Sequence, residues 1–431
     1  MGERRRGLAG ASARCGLQRG EAAWRVPLVA AVQRTSGTAG TVGWDDAQGT
    51  ASAQTCRQVR VSWYGAQKPT TSVLLLGWHV QKKRVLFRWQ SQPLNAFTYI
   101  KDKDERPKVP HYVFTNEIPV ISLSNSHGPE RERIRAQLKT ASQELGIFQV
   151  VDHGVPKDLT TLIMKDAMDF FALPLEEKSQ YAMKPGTYLG YGNGSFIKDD
   201  PLMDWRELYV TRCLPRETNL WPTKPPTIQK TIADYSDAMV ELVRELLELI
   251  SEALGVELKA IENALGDAEQ KLLLNYYPKC PQPEMTLGLK RHTDPGTITL
   301  LLQDKVGGLQ VTKDDGKTWV TVEPIEGAFV VNLGDQMHVL SNGIFKSADH
   351  RAVVNSSTTR LSIVTFHNPN PNSVVYPLDG LVDDEHPTKF QRYIYKEFYA
   401  RKMTKHIQER EEKLSRRKES CGEDNGTISS L

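Results

Sequence analysis

Residues 298–322 read Ile298-Thr-Leu-Leu-Leu-Gln-Asp-Lys-Val-Gly-Gly-Leu-Gln-Val-Thr-Lys-Asp-Asp-Gly-Lys-Thr-Trp-Val-Thr-Val322. Three short β-rich runs sit in this stretch, separated by a Gly pair and by the turn Asp314-Asp-Gly316. The same texture extends both ways, through Lys271-Leu-Leu-Leu-Asn275, Ala328-Phe-Val-Val-Asn332, His338-Val-Leu340 and Leu361-Ser-Ile-Val-Thr-Phe366. Seven short strands in under a hundred residues predict an antiparallel barrel or a double-sheet jelly roll.

The sequence upstream has a different rhythm. Glu117-Ile-Pro-Val-Ile121 is a short β-rich run with Pro119 at its entry. Ile134, Leu138, Ala141 and Leu145 share a helical face, predicting a helix over 130–145 that stops at Gly146. A strand is expected at Ile147-Phe-Gln-Val-Val151, then a helix over 157–171. Residues 186–200, rich in Gly, Asn and Asp, read as a loop. Met239, Val243, Leu246, Leu247 and Ile250 fall at three- and four-residue steps, predicting a helix over 226–254 that Gly255 can close. A shorter helix is expected over 257–265 and a charged one over 387–413. Residues 106–225 thus read as an α/β lead-in module, and 226–405 as a helix plus the β core. Residues 414–431 read as a polar, disordered tail.

The net charge of +3 conceals an asymmetry. Residues 1–95 carry fourteen Lys/Arg against four Asp/Glu, whereas the remaining 336 residues carry 41 against 48. The first part reads as a basic, disordered extension; a transit peptide is the alternative. The acidic body gives no reason to expect nucleic-acid binding. No run of eighteen apolar residues predicts a membrane span. Five cysteines, without metal-type spacing, fit a reducing compartment, and a cytoplasmic location is expected. A monomer is expected as well, at most loosely associated with other enzymes of its pathway.

The chemistry concentrates in three places. His292 and Asp294 are two apart, so on a strand their side chains share a face. His350 lies further on, and two imidazoles with one carboxylate suit Fe(II), with Zn(II) or Mn(II) conceivable. Taken alone, a His-x-Asp pair among ten histidines is unremarkable. Arg360 and Ser362 share a face of the last β-rich run. A buried arginine implies an anion, and a guanidinium beside a hydroxyl could hold one end of a dicarboxylate. These two patterns, in this order on a β-rich background, strengthen each other.

Residues 106 to about 405 resemble the plant-type 2-oxoglutarate- and Fe(II)-dependent dioxygenases. The matching stretches are Gly146-Ile-Phe-Gln-Val-Val-Asp-His-Gly154, Asn275-Tyr-Tyr-Pro-Lys-Cys-Pro-Gln-Pro283, Arg291-His-Thr-Asp294, Asn332-Leu-Gly-Asp335, Leu340-Ser-Asn-Gly343 and Arg360-Leu-Ser362. Within that family, 288–304, Gly316-Lys-Thr-Trp319 and 326–335 are most similar to the flavanone 3-hydroxylases. The resemblance implies a mixed α/β fold with a mainly β core. That core is a double-stranded β-helix (jelly roll) with an N-terminal α/β module and flanking helices. It implies that His292, Asp294 and His350 hold the iron and that Arg360 and Ser362 bind the distal carboxylate of 2-oxoglutarate. Asn275 and Tyr277 match residues lining the co-substrate site, and Phe366 matches an aromatic that stacks on substrate, although Phe366 on a strand could equally be core.

The implied reaction consumes O2 and 2-oxoglutarate, releases succinate and CO2, and uses ascorbate as reductant. Its organic substrate would be a flavanone-like phenolic, hydroxylated at C3 or, in flavone synthases and flavonol-forming relatives, desaturated. A catalytically silent jelly-roll binding protein would need neither the triad nor Arg360. The chain departs from the hydroxylase pattern at Gln336-Met-His-Val339, where His-Gly-His-Tyr is usual, and in the loop Pro185–Gly194. The residues around Met337 and Tyr191 are therefore expected to decide what is oxidised.

Overall fold

Strands with near-continuous apolar runs need cover on both faces, and the fold supplies it with helices outside and a second sheet inside. The computed structural model describes residues 98–184, 186–194 and 202–423. The basic extension lies outside the described residues. Elements are numbered along the chain.

The major sheet has eight strands. In spatial order they are β2 (Val120–Ser122), β3 (Ile147–Val151), β11 (Phe329–Leu333), β8 (Ile298–Gln303), β13 (Arg360–Asn368), β6 (Glu269–Tyr277), β5 (Glu207–Leu214) and β4 (Gly190–Asn193). The minor sheet runs β1 (Phe114–Thr115), β10 (Val320–Val322), β9 (Leu309–Thr312), β12 (Asp349–Ala352) and β7 (Leu289–His292). A small ribbon joins β14 (Val374–Val375) to β15 (Tyr393–Ile394). The helices are α1 (Arg131–Glu144), α2 (Lys157–Ala172), α3 (Leu175–Ser179), α4 (Ile228–Leu254), α5 (Ala260–Leu265), α6 (Asp335–Leu340) and α7 (Tyr395–Glu423).

The period-two alternation of the central strands sorts their side chains into two cores. Leu272, Leu274, Ile298, Leu300, Leu302, Phe329, Val331 and Ile363 pack outward with Tyr235, Met239 and Leu246 of α4. Leu273, Leu301, Val330 and Val364 point inward, against Leu309, Val311 and Val322 of the minor sheet. This is the expected jelly roll. The lead-in module contributes to the major sheet at both margins, β2–β3 at one and β4–β5 at the other. Gly255 closes α4 with φ +80, as expected.

The structure corrects several expected elements. His338-Val-Leu340 is not a strand but part of α6, whose Met337, Val339 and Leu340 are buried. Three apolar residues are too few to reveal a period, and Asp335 favours the first helical turn. The C-terminal helix starts at Tyr395, later than expected, because residues up to 394 form a loop and β15. It continues to Glu423, into the expected tail, on a sequence rich in Glu, Lys and Arg, which are good helix formers. Tertiary order also begins before Arg106: Tyr99 packs edge-on against Trp205, and Lys101 pairs with Asp204 at 2.7 Å. β4 lies inside the expected loop 186–200, and β5 was not anticipated.

Leu300 is fully buried between β8 and the helical layer, so Leu300→Ala is expected to lower unfolding free energy by about 2–5 kcal/mol. Leu162→Ala, at a side chain 37% exposed, is expected to cost under about 0.5 kcal/mol. Urea denaturation of the two variants checks the contrast.

Candidate active site

β7 and β12 are antiparallel neighbours, and their register sets His292 directly opposite His350. The ring centroids are 4.2 Å apart. Each ring is steered through Nδ1: that of His292 lies 2.9 Å from Lys290 O, and that of His350 lies 3.0 Å from Ala348 O. A carbonyl can only accept, so Nδ1 carries the proton and Nε2 keeps a lone pair. The two Nε2 atoms lie 3.5 and 3.9 Å from Asp294 Oδ1.

Asp294 stands in the loop that crosses from β7 in the minor sheet to β8 in the major one. Its Oδ2 accepts hydrogen bonds from Thr299 Oγ1 (2.7 Å) and Asn332 Nδ2 (2.8 Å), which turns Oδ1 toward the imidazoles. Burial alone would push this carboxyl up; with the histidines protonated, their charge and the Asn332 amide outweigh it and hold it far below the usual carboxylate range. Burial, with His292 alongside, pushes the His350 imidazole down, which favours the neutral ring a metal requires. Gly334 makes room for the loop: a Cβ there would meet Gly296 O at 2.3 Å and Asp294 O at 2.9 Å. The three donor atoms lie within 4.8 Å of one another and line one cavity. Two neutral imidazoles and a carboxylate, open on one side, fit a divalent ion of the Fe(II) type.

A second feature lies further along the same cavity. On β13, Arg360 pairs in register with Tyr277 of β6, and Ser362 pairs with Asn275. Arg360 is 2% exposed and stacks 5.1 Å from the Tyr277 ring centre. Its Nη2 donates to Gln303 Oε1 at 3.0 Å, but its Nε has no partner among the described residues, and neither has Ser362 Oγ. No carboxylate among them lies within ion-pair distance of Arg360. A buried guanidinium with one unpartnered donor and an unpartnered hydroxyl, on one strand face, could receive a carboxylate.

Comparison with known proteins bears directly on this geometry. The profile of the 2OG-Fe(II) oxygenase superfamily matches residues 268–369, and that of the non-haem dioxygenase in morphine synthesis N-terminal region matches 118–227. A naringenin,2-oxoglutarate 3-dioxygenase of Callistephus chinensis is 49% identical over 323 residues, covering 74% of this chain and 90% of its own. The chain belongs to the 2OG-Fe(II) oxygenase superfamily. A flavone synthase of Petroselinum crispum is also 49% identical, over 317 residues, covering 72% of this chain and 86% of its own. Among solved structures, JOX2 in complex with 2OG, Fe and JA aligns with a TM-score of 0.67 at 36% identity, covering 73% of this chain and 90% of that one. This oxygenase is therefore a 2-oxoglutarate-dependent dioxygenase that uses Fe(II), 2-oxoglutarate and O2.

The remaining expected residues can now be placed in the oxygenase. Asn275, Tyr277 and Phe366 all line the cavity. Phe366 is half-buried, and its partner on β8 is Thr299, the residue bonded to Asp294. Phe366 therefore flanks the histidine–aspartate cluster, with Arg360 and Ser362 toward the other end of the strand. The departures from the hydroxylase pattern reach the cavity only in part. Met337 is fully buried in the helix-side core, and Tyr191 is buried with its hydroxyl on Glu207 Oε2 at 2.6 Å; neither lines the cavity. Tyr188 of the same loop does, its ring 6.1 Å from that of Tyr399. Sequence reasoning also missed Arg206, 1% exposed, whose Nη1 donates to Asn275 Oδ1 at 2.7 Å on the cavity wall. The chain position just ahead of the unrecognised β5 hid it.

Arg360→Ala is expected to raise the KM for 2-oxoglutarate by roughly tenfold to a hundredfold, the worth of a charge-assisted bond, read as succinate release. Asp294→Ala is expected to abolish Mn(II) binding, so that the free Mn(II) signal, which the unaltered chain removes in electron paramagnetic resonance titrations, persists.

Proposed function

We propose that this dioxygenase hydroxylates a flavanone such as naringenin at C3, giving a dihydroflavonol. His292, Asp294 and His350 would hold Fe(II), which with 2-oxoglutarate and O2 supplies the oxidant as succinate and CO2 are released. Arg360 and Ser362 would grip the distal carboxylate of 2-oxoglutarate, with Asn275 and Tyr277 shaping the wall around it. Thr299 and Asn332 keep Asp294 turned toward the imidazoles. Phe366 would stack on a flat phenolic ring beside the metal ligands. Leu273, Leu301 and Val364, also on the cavity wall, exclude water from the oxidising centre.

The observation that carries this reading is the position of Phe366, opposite Thr299 and so beside Asp294, in a chain about half identical to naringenin 3-dioxygenases over most of their length. A second reading, C2–C3 desaturation to a flavone, is supported by the equal likeness to a flavone synthase. Both outcomes draw on the same ligands and anchors, so substrate placement separates them. No helix among the described residues is long and apolar enough to cross a membrane. Cys213 and Cys280 are unpaired and buried, which supports work in a reducing compartment such as the cytoplasm.

The deciding experiment incubates the enzyme with naringenin, Fe(II), ascorbate and 2-oxoglutarate and separates the products by chromatography. Dihydroflavonol is the expected product. A flavone would replace the first reading by the second, and no oxidised product with intact, folded enzyme would refute both.

A further inference from the structure

Four consecutive carbonyls of the loop that carries Asp294 are held from outside it. Thr293 O accepts from Lys402 Nζ at 2.9 Å, and Thr293 Oγ1 accepts from the same atom at 2.7 Å. Asp294 O accepts from the Asp335 amide at 2.9 Å, Pro295 O from Gln336 Nε2 at 2.8 Å and Gly296 O from the Gln336 amide at 2.9 Å. Asp335 and Gln336 open α6. Both are in turn tied to the C-terminal segment: Lys402 Nζ is ion-paired with Asp335 Oδ2, and Tyr393 Oη donates to Gln336 Oε1 at 2.8 Å.

The same C-terminal segment walls the cavity. Tyr399 and Met403 of α7 line it, one on each side of Lys402 in the chain. Tyr399 meets Tyr188 across the cavity wall, and Lys271 Nζ sits 5.2 Å from its ring centre. A helix that covers the substrate space is thus bonded, through one ammonium group, to the residue between two metal ligands.

We propose that Lys402 is a positioning residue that couples the seating of α7 over the cavity to the geometry of the loop holding Asp294. A seated helix places Lys402 Nζ on Thr293 and Asp335, and this in turn fixes the peptide on which Asp294 is mounted. A displaced helix withdraws that support, so the oxidising centre is fully assembled only when the cavity is covered. Tyr393 acts in the same direction through Gln336, by a neutral and weaker contact. The inference rests on the assignment of His292, Asp294 and His350 as the metal site given above.

The test uses the full-length chain and Mn(II) as the probe, titrated by electron paramagnetic resonance. In parallel, succinate and oxidised flavanone are quantified from the same reaction. Lys402→Met is expected to weaken Mn(II) binding about tenfold, as for other supports of a metal ligand, and to make succinate exceed oxidised product. Tyr393→Phe removes one hydroxyl and is expected to move both readouts the same way by a smaller factor. Lys402→Arg keeps the charge and is expected to recover most of both. Tyr399→Ala removes the ring contacts that seat α7 against Tyr188 and Lys271, and is expected to raise the KM for the flavanone and to lower Mn(II) affinity by a smaller factor than Lys402→Met; unchanged Mn(II) affinity with a raised KM would count against the coupling. Folded Lys402→Met protein with unaltered Mn(II) affinity and one succinate per product overturns the proposal. If Lys402→Met does not fold, Tyr393→Phe decides, and unaltered values in both readouts overturn the coupling. The Mn(II) arm is independent of which organic substrate is oxidised. Failure of the unaltered chain to bind Mn(II) would refute the metal-site assignment itself, and the coupling with it.

Discussion

Asp294 is a buried carboxylate whose position no single element fixes. A charge taken out of water is costly unless several partners offset the lost hydration. Here the partners come from both sheets: Thr299 and Asn332 from the major one, the two imidazoles from the minor one. The carboxylate can rest between the sheets only if both are assembled in the right relation. That requirement links the metal site to the packing of the whole barrel, and it explains why Gly334, pressed against the backbone of Asp294 and Gly296, has no room for a side chain.

The two sheets then divide the work. The minor sheet brings His292 and His350 together by simple cross-strand register, and backbone carbonyls choose their tautomer. The inward face of β13 lays out the rest in order along one strand: Arg360 and Ser362, then Val364, then Phe366. At about 3.3 Å per residue, the carboxylate anchor and the aromatic stand roughly 20 Å apart along the strand. Under the proposed function, that spacing would let a short dicarboxylate and an organic ring approach the metal ligands from different directions. Arg360 Nε and Ser362 Oγ are left without a partner among the described residues, on the same face of β13 that carries Val364 and Phe366 to the cavity.

Legibility in the sequence followed the physical range of each interaction. Arg360-Leu-Ser362 and the apolar strands were readable because their periodicity is two and their neighbours are local. The helix α4 was readable because it presents one apolar stripe over many turns. His338-Val-Leu340 misled because a three-residue run carries no period, and its helical form is set by Asp335 and the core behind Met337. The family departures at Met337 and Tyr191 were visible as departures, yet their direction was not. Met337 turns away from the cavity and Tyr191 turns to Glu207, so the loop reaches the cavity through Tyr188 instead. Arg206 and Lys402 left no trace, since an isolated cation in sequence is usually solvated and only a tertiary contact makes it otherwise.

The sequence by itself determined the class of fold, the donor types and their order along the chain. Side-chain chemistry and strand periodicity are properties of short segments, and short segments are what a sequence displays. Which donors meet, which oxygen of Asp294 faces the imidazoles and which residues wall the cavity were decided only by the tertiary structure. His292 and His350 are 58 positions apart in the chain, and Thr293 and Lys402 further still. Their contacts depend on sheet register and helix docking, whose free energies are spread over the entire core.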